Sequence, residues 1–137
     1  MSGALKVIAV ATLFSACVNL NDSKTLLNNA WELEGINGRQ IDLGSQKKPM
    51  LAFNVDTMKV SGTDGCNRLS GGIEALDQQN LRFGMMASTR MMCPDMTVPD
   101  EFTKALSEVR RYKADSEKLI LLDASGEKRL FFKKIDV

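Results

Sequence analysis

The residues best equipped for chemistry in this 137-residue chain are three cysteines, Cys17, Cys66 and Cys93. A thiol can carry an acyl group, close a disulfide, exchange one, or ligate a soft metal. Its usual catalytic helper is missing, because the chain contains no histidine. That removes Ser-His-Asp and Cys-His mechanisms and most zinc sites. Ser61, Ser70 and Ser88 are left without such a base, and the carboxylates form no evident acid/base pair. Gly62, Gly65, Gly71 and Gly72 do not make a phosphate-binding loop that runs into a helix. The expectation is a non-catalytic protein with no cofactor and no metal centre.

The second unusual feature is sulfur of another kind. Of eight methionines, Met85, Met86, Met91, Met92 and Met96 surround Cys93. Thioethers suit Cu(I), yet methionine is also the adaptable filler of apolar cores. On a strand, Met85 and Met86 face opposite ways, as do Met91 and Met92, and no M-x-x-M spacing repeats. Core or cavity lining is the expectation, with a pocket for Cu(I) or a small apolar ligand as the alternative. Arg68 and Arg90, beside the two later cysteines, are expected in solvated ion pairs with Asp64, Asp95 or Glu101, with an anion- or partner-binding patch as the alternative. Asn67, next to Gly65, is expected to organise a turn.

These residues must be positioned by a small domain. Composition is ordinary, with 44% apolar and 26% charged residues and a net charge of +1. Extended disorder is excluded, and there is no basic excess for nucleic acid. Residues 31–36 alternate, Asn37-Gly38 is a hairpin turn signal, and Leu51, Phe53 and Val55 alternate again. Asp56-Thr57 turns the chain into a strand around Met58 and Val60. Gly71-Gly72 is expected to end the next strand and to permit a bulge or close backbone approach. Leu81, Phe83 and Met85 mark another strand.

One helix is predicted near 99–113. Pro99 suits its first position, and Phe102, Ala105, Leu106, Val109 and Tyr112 form an apolar stripe at three- and four-residue spacing. Leu119–Leu122 and Leu130–Phe132 make a final hairpin. Seven or eight short strands with short connections argue for an antiparallel α+β domain, a half-barrel crossed or covered by that helix.

The amino-terminal segment reads as an address. Lys6 precedes an apolar run, Val7–Phe14, about half the ~20 residues of a membrane span. Ser15 and Ala16 then lead into Cys17, which resembles the lipobox of bacterial lipoproteins. The resemblance implies a signal peptide over 1–16 and a lipid on Cys17. Val18, which follows in place of Asp, implies sorting to the outer membrane of a Gram-negative bacterium. Residues 17–29 read as a lipidated flexible tether with a reach of roughly 20 Å, and 30–137 as the domain.

Within that domain, Ser61-Gly62, Gly65-Cys66-Asn67-Arg68, Ser70-Gly71 and Thr89-Arg90-Met91-Met92-Cys93 follow Trp31-Glu32-Leu33 and Ile36-Asn37-Gly38. In this order and spacing they resemble the META/HslJ family of bacterial envelope proteins over about residues 30–134. The resemblance implies a small antiparallel half-barrel crossed by a helix. It also implies a heat-shock- or stress-associated outer-membrane lipoprotein with no defined reaction. With Cys17 assigned to lipid, Cys66 and Cys93 remain as a pair in an oxidising compartment. They are a disulfide candidate, with separate buried thiols or a reactive redox pair as alternatives. The expected function is a binding or scaffolding module on the periplasmic face of the membrane. Its expected partners are the membrane through Cys17, and an envelope protein or small apolar ligand. The alternatives are a periplasmic carrier of an apolar ligand or Cu(I), and a thiol-redox protein.

Overall fold

The computed structural model describes residues 22–44 and 46–136. The signal segment and Cys17 lie outside them. Residues 22–29, assigned from the sequence to the tether, are folded. A short helix, α1 (Ser23–Leu27), is capped by the Asp22 side chain on the Lys24 amide, and Leu27 is fully buried. Leu27 also supplies the carbonyl that accepts the Trp31 indole N–H at 3.1 Å. The anchoring of the core tryptophan therefore begins before the first strand.

Ten strands follow among the described residues. They are β1 (Ala30–Ile36), β2 (Arg39–Gln40), β3 (Met50–Asn54), β4 (Lys59–Thr63), β5 (Arg68–Leu76), β6 (Leu81–Phe83), β7 (Ala87–Ser88), β8 (Val109–Ala114), β9 (Lys118–Asp123) and β10 (Lys128–Ile135). All pair antiparallel, in the order β6-β5-β4-β3-β1-β10-β9-β8, with β2 on β1 and β7 on β5. The eight-stranded path curls until its ends nearly meet. Asn80 bridges to Arg111, and the Tyr112 amide donates to the Gln79 carbonyl at 2.9 Å. The sheet is thus closer to a closed barrel than to half of one.

The main helix, α2 (Thr97–Glu108), buries Pro99, Phe102, Ala105 and Leu106. Phe102 meets Phe132 of β10 edge-on, with centroids 6.2 Å apart. The helix is shorter than predicted. Val109–Ala114 is strand, and Pro99 is the third helical residue instead of the first. The apolar spacing misled for an identifiable reason. A β-bulge between Val109 and Arg111 leaves two exposed residues between buried Val109 and Tyr112. A bulged strand can therefore show the three-residue period of a helix.

Gly71-Gly72 does not end a strand, because β5 runs through it to Leu76. The close approach is real: a Cβ on Gly71 would lie 2.6 Å from the Met86 sulfur. The Asn37-Gly38 turn has both residues at positive φ, 52° and 80°, as the hairpin signal requires. The core is one cluster of inward-facing residues. Trp31, Leu33, Leu51, Val60, Leu81, Leu119, Leu121, Leu130 and Phe132 are all essentially inaccessible to solvent.

Candidate functional site

The family-motif residues converge beside one end of the sheet. The turn after β4 reads Asp64-Gly65-Cys66-Asn67. Asp64 Oδ1 accepts the amides of Cys66 (2.8 Å) and Asn67 (2.6 Å), and the Asp64 amide donates back to the Asn67 carbonyl at 3.0 Å. Such a turn needs one residue at positive φ, and Gly65 supplies it at 98°. Any Cβ there would also stand 2.8 Å from the Lys47 carbonyl. Glycine is thus required twice at this position.

Cys66 is bonded to Cys93, with Cα atoms 6.0 Å apart across 27 residues of sequence. Of the three states open for this pair, the disulfide is the one observed. The bridge is not the only tie. Asn67 Oδ1 accepts the Met91 amide (2.6 Å) and the Thr89 hydroxyl (3.0 Å), and its Nδ2 donates to the Met91 carbonyl (3.1 Å). Thr89 in turn receives the Arg68 amide on its hydroxyl and donates its own amide to the Arg68 carbonyl. Asn67 was expected to shape its own turn, but its side chain fixes a segment over twenty positions away. Asp-Gly ahead of it signals the turn, whereas no local pattern signals the distant partner.

Exposed methionines lie on the pinned segment and just before it. Met85 is 96% exposed, Met92 85% and Met91 57%. Core lining fails for Met85, Met91 and Met92: β6 ends at Phe83, before Met85, and 89–95 is irregular backbone outside the barrel that does not alternate between faces. It holds for Met86, which is partly buried against the core. Met85, Met86 and Met96 line a cavity of about 490 Å³ between the β6–β7 connection and α2. Leu69, Phe83, Met86, Met96 and Leu106 form its apolar wall.

Arg68 and Arg90 are exposed, and among the described residues neither enters an ion pair. Glu101, one of their expected partners, pairs with Arg39 across the barrel mouth. Asp95, another, accepts the Thr97 amide at the start of α2 (2.9 Å), which holds its carboxyl below the usual range. Among the described residues no three His, Cys, Asp or Glu side chains gather as a metal site, and no helix is long and apolar enough to cross a membrane.

Two further titratable groups serve the frame outside this cluster. The Asp123 carboxyl is drawn down to about 2, first by the Ser125 hydroxyl and then by the Glu127 amide and Arg129. Burial raises Tyr112 to about 12. Its hydroxyl donates to the Asp77 carbonyl at 2.7 Å and helps to hold the seam of the barrel.

Comparison with known proteins agrees with this architecture. An NMR structure matches with 25% identity and a TM-score of 0.62, covering 82% of this chain and 93% of the other. An NMR structure of a protein from Burkholderia xenovorans matches with 22% identity and a TM-score of 0.66, over 84% and 88%. A crystal structure of a DUF4847 family protein from Bacteroides vulgatus matches with 14% identity and a TM-score of 0.59, over 83% and 99%. The last two likenesses speak to fold alone. No curated protein matches the sequence. The META domain model matches residues 24–136, from α1 through β10, and the chain belongs to the META domain family.

Proposed function

We propose that this protein is a non-catalytic, lipid-anchored envelope module of the META type that binds through its methionine-bearing rim. The supporting observation is the doubly fastened segment 89–93. A disulfide and an asparagine clamp hold Met91 and Met92 out in water. Exposing flexible apolar side chains is costly, and methionine surfaces adapt to varied partners. Rigid backbone under adaptable side chains suits recognition better than turnover. The proposed setting is the periplasmic face of the outer membrane, through lipid on Cys17, with a stress-associated role as in HslJ-type relatives. Intact mass of the membrane fraction should then show acyl mass on a chain beginning at Cys17.

Photo-crosslinking tests the binding surface in living cells. A benzophenone side chain at Met92 should give one discrete adduct, and the same group at Lys59, which begins β4 beside the β3–β4 turn, should not. Equal or absent adducts at both positions would reject the rim as the binding surface. The cavity lined by Met85, Met86 and Met96 supports a second reading, a carrier of a small apolar ligand.

A further inference from the structure

We infer that the cavity between α2 and the β6–β7 connection takes a small apolar molecule bearing a cation, such as an aryl-alkyl amine. The inference rests on the carrier reading and gives its ligand a charge.

Its starting point is Asp64, which is only 4% exposed. Both donors that reach its side chain, the amides of Cys66 and Asn67, go to Oδ1. Among the described residues Oδ2 accepts no hydrogen bond and meets no Lys or Arg. Nor is Oδ2 sealed in, since no fully buried side-chain oxygen or nitrogen lacks a partner. An accessible carboxylate oxygen with no protein partner is free to accept from outside, from water or from a ligand's donor that displaces it.

The surroundings select the donor. Asp64 lines the 490 Å³ cavity, whose volume falls in the ~300–1,000 Å³ range of small-molecule sites. Asp100, in the first turn of α2, adds a second carboxylate at the rim, and no lysine or arginine lines the space. Phe83, Met86, Met96 and Leu106 supply the apolar wall. An ammonium facing Asp64 with an aryl or alkyl body against that wall satisfies both parts. A carboxylate ligand would meet two like charges. A smaller cavity beside the disulfide also touches Asp64, but at about 200 Å³ it lies below the ~300 Å³ lower bound of small-molecule sites, and Lys47 offsets one of its two carboxylates, Asp64 and Asp95.

The test uses the full chain, labelled with [methyl-13C]methionine, and three ligands of matched body: 4-phenylbutylamine, 4-phenylbutanol and 4-phenylbutyrate. The Met86 and Met96 methyl signals should shift with the amine, at a Kd at least tenfold below that of the carboxylate. Asp64→Asn should cut that preference at least threefold and weaken the amine more than the alcohol. If Asp64→Asn does not fold, Asp100→Lys at the exposed rim should weaken the amine at least tenfold. Equal binding of all three ligands would overturn the charge inference and leave the carrier reading standing. No shift at Met86 and Met96 with any ligand up to millimolar concentration would overturn both. Amine binding reported only by other methionines would overturn the assignment to this cavity.

Discussion

Replacing both bridged cysteines by alanine (C66A/C93A) separates what the disulfide does from what Asn67 does. Opening a 27-residue span returns loop entropy to the unfolded chain. The chain-entropy relation gives about 12 cal/mol/K, or about 3.5 kcal/mol at 25 °C. Losing the Cys66 sulfur from its buried position adds about 1 kcal/mol. Small domains are stable by only ~5–15 kcal/mol, so the variant should fold with a thin margin. Its native loop should hardly change, because Asn67 still holds the Met91 amide at 2.6 Å and the Met91 carbonyl at 3.1 Å. Urea denaturation followed by Trp31 fluorescence reads the first effect, and hydrogen exchange at the Met91 amide reads the second. The expected result is a stability loss of about 3.5–4.5 kcal/mol with Met91 still protected. A loss below about 1 kcal/mol would refute the entropic argument. A Met91 amide exchanging like a free peptide in the folded variant would refute the clamp.

Asn67→Ala removes all three side-chain bonds to 89–91 while the disulfide remains, and should cost about 2–3 kcal/mol in a urea titration. Gly65→Ala forces a Cβ into positive φ against the Lys47 carbonyl, and its melting curve should report a loss of more than about 1 kcal/mol. Asp123 titrates at about 2 in the folded protein, below its ordinary value near 4. Its contribution is therefore present above pH 4 and is lost as pH falls from about 4 to about 2. Asp123→Asn should lower stability at neutral pH, and its deficit relative to wild type should close over that window. A deficit unchanged down to pH 2 would contradict the assignment.

Much of the fold was legible locally. Alternation gave the early strands, Asn37-Gly38 gave the first hairpin, and Leu119–Leu122 gave β9, because those signals are written within a few neighbouring residues. The length of the helix was not legible. The bulge at Val109 and Arg111 is fixed by pairing with β9, and on one strand its buried spacing matches that of a helix. The reach of Asn67 and the isolation of Arg68 and Arg90 were hidden for a related reason. Their partners depend on which loops the closing barrel brings together.

The sequence by itself determined the family motifs, the pairing candidates Cys66 and Cys93, and the antiparallel α+β class. Residue type, order and short-range period are sufficient for those. Only the tertiary structure decided that the cysteines join, that Met91 and Met92 face water while Met86 turns inward, and that Asp64 keeps an oxygen open beside an apolar cavity. Those facts are distances between segments over twenty residues apart, set when the sheet curls and α2 packs across its opening.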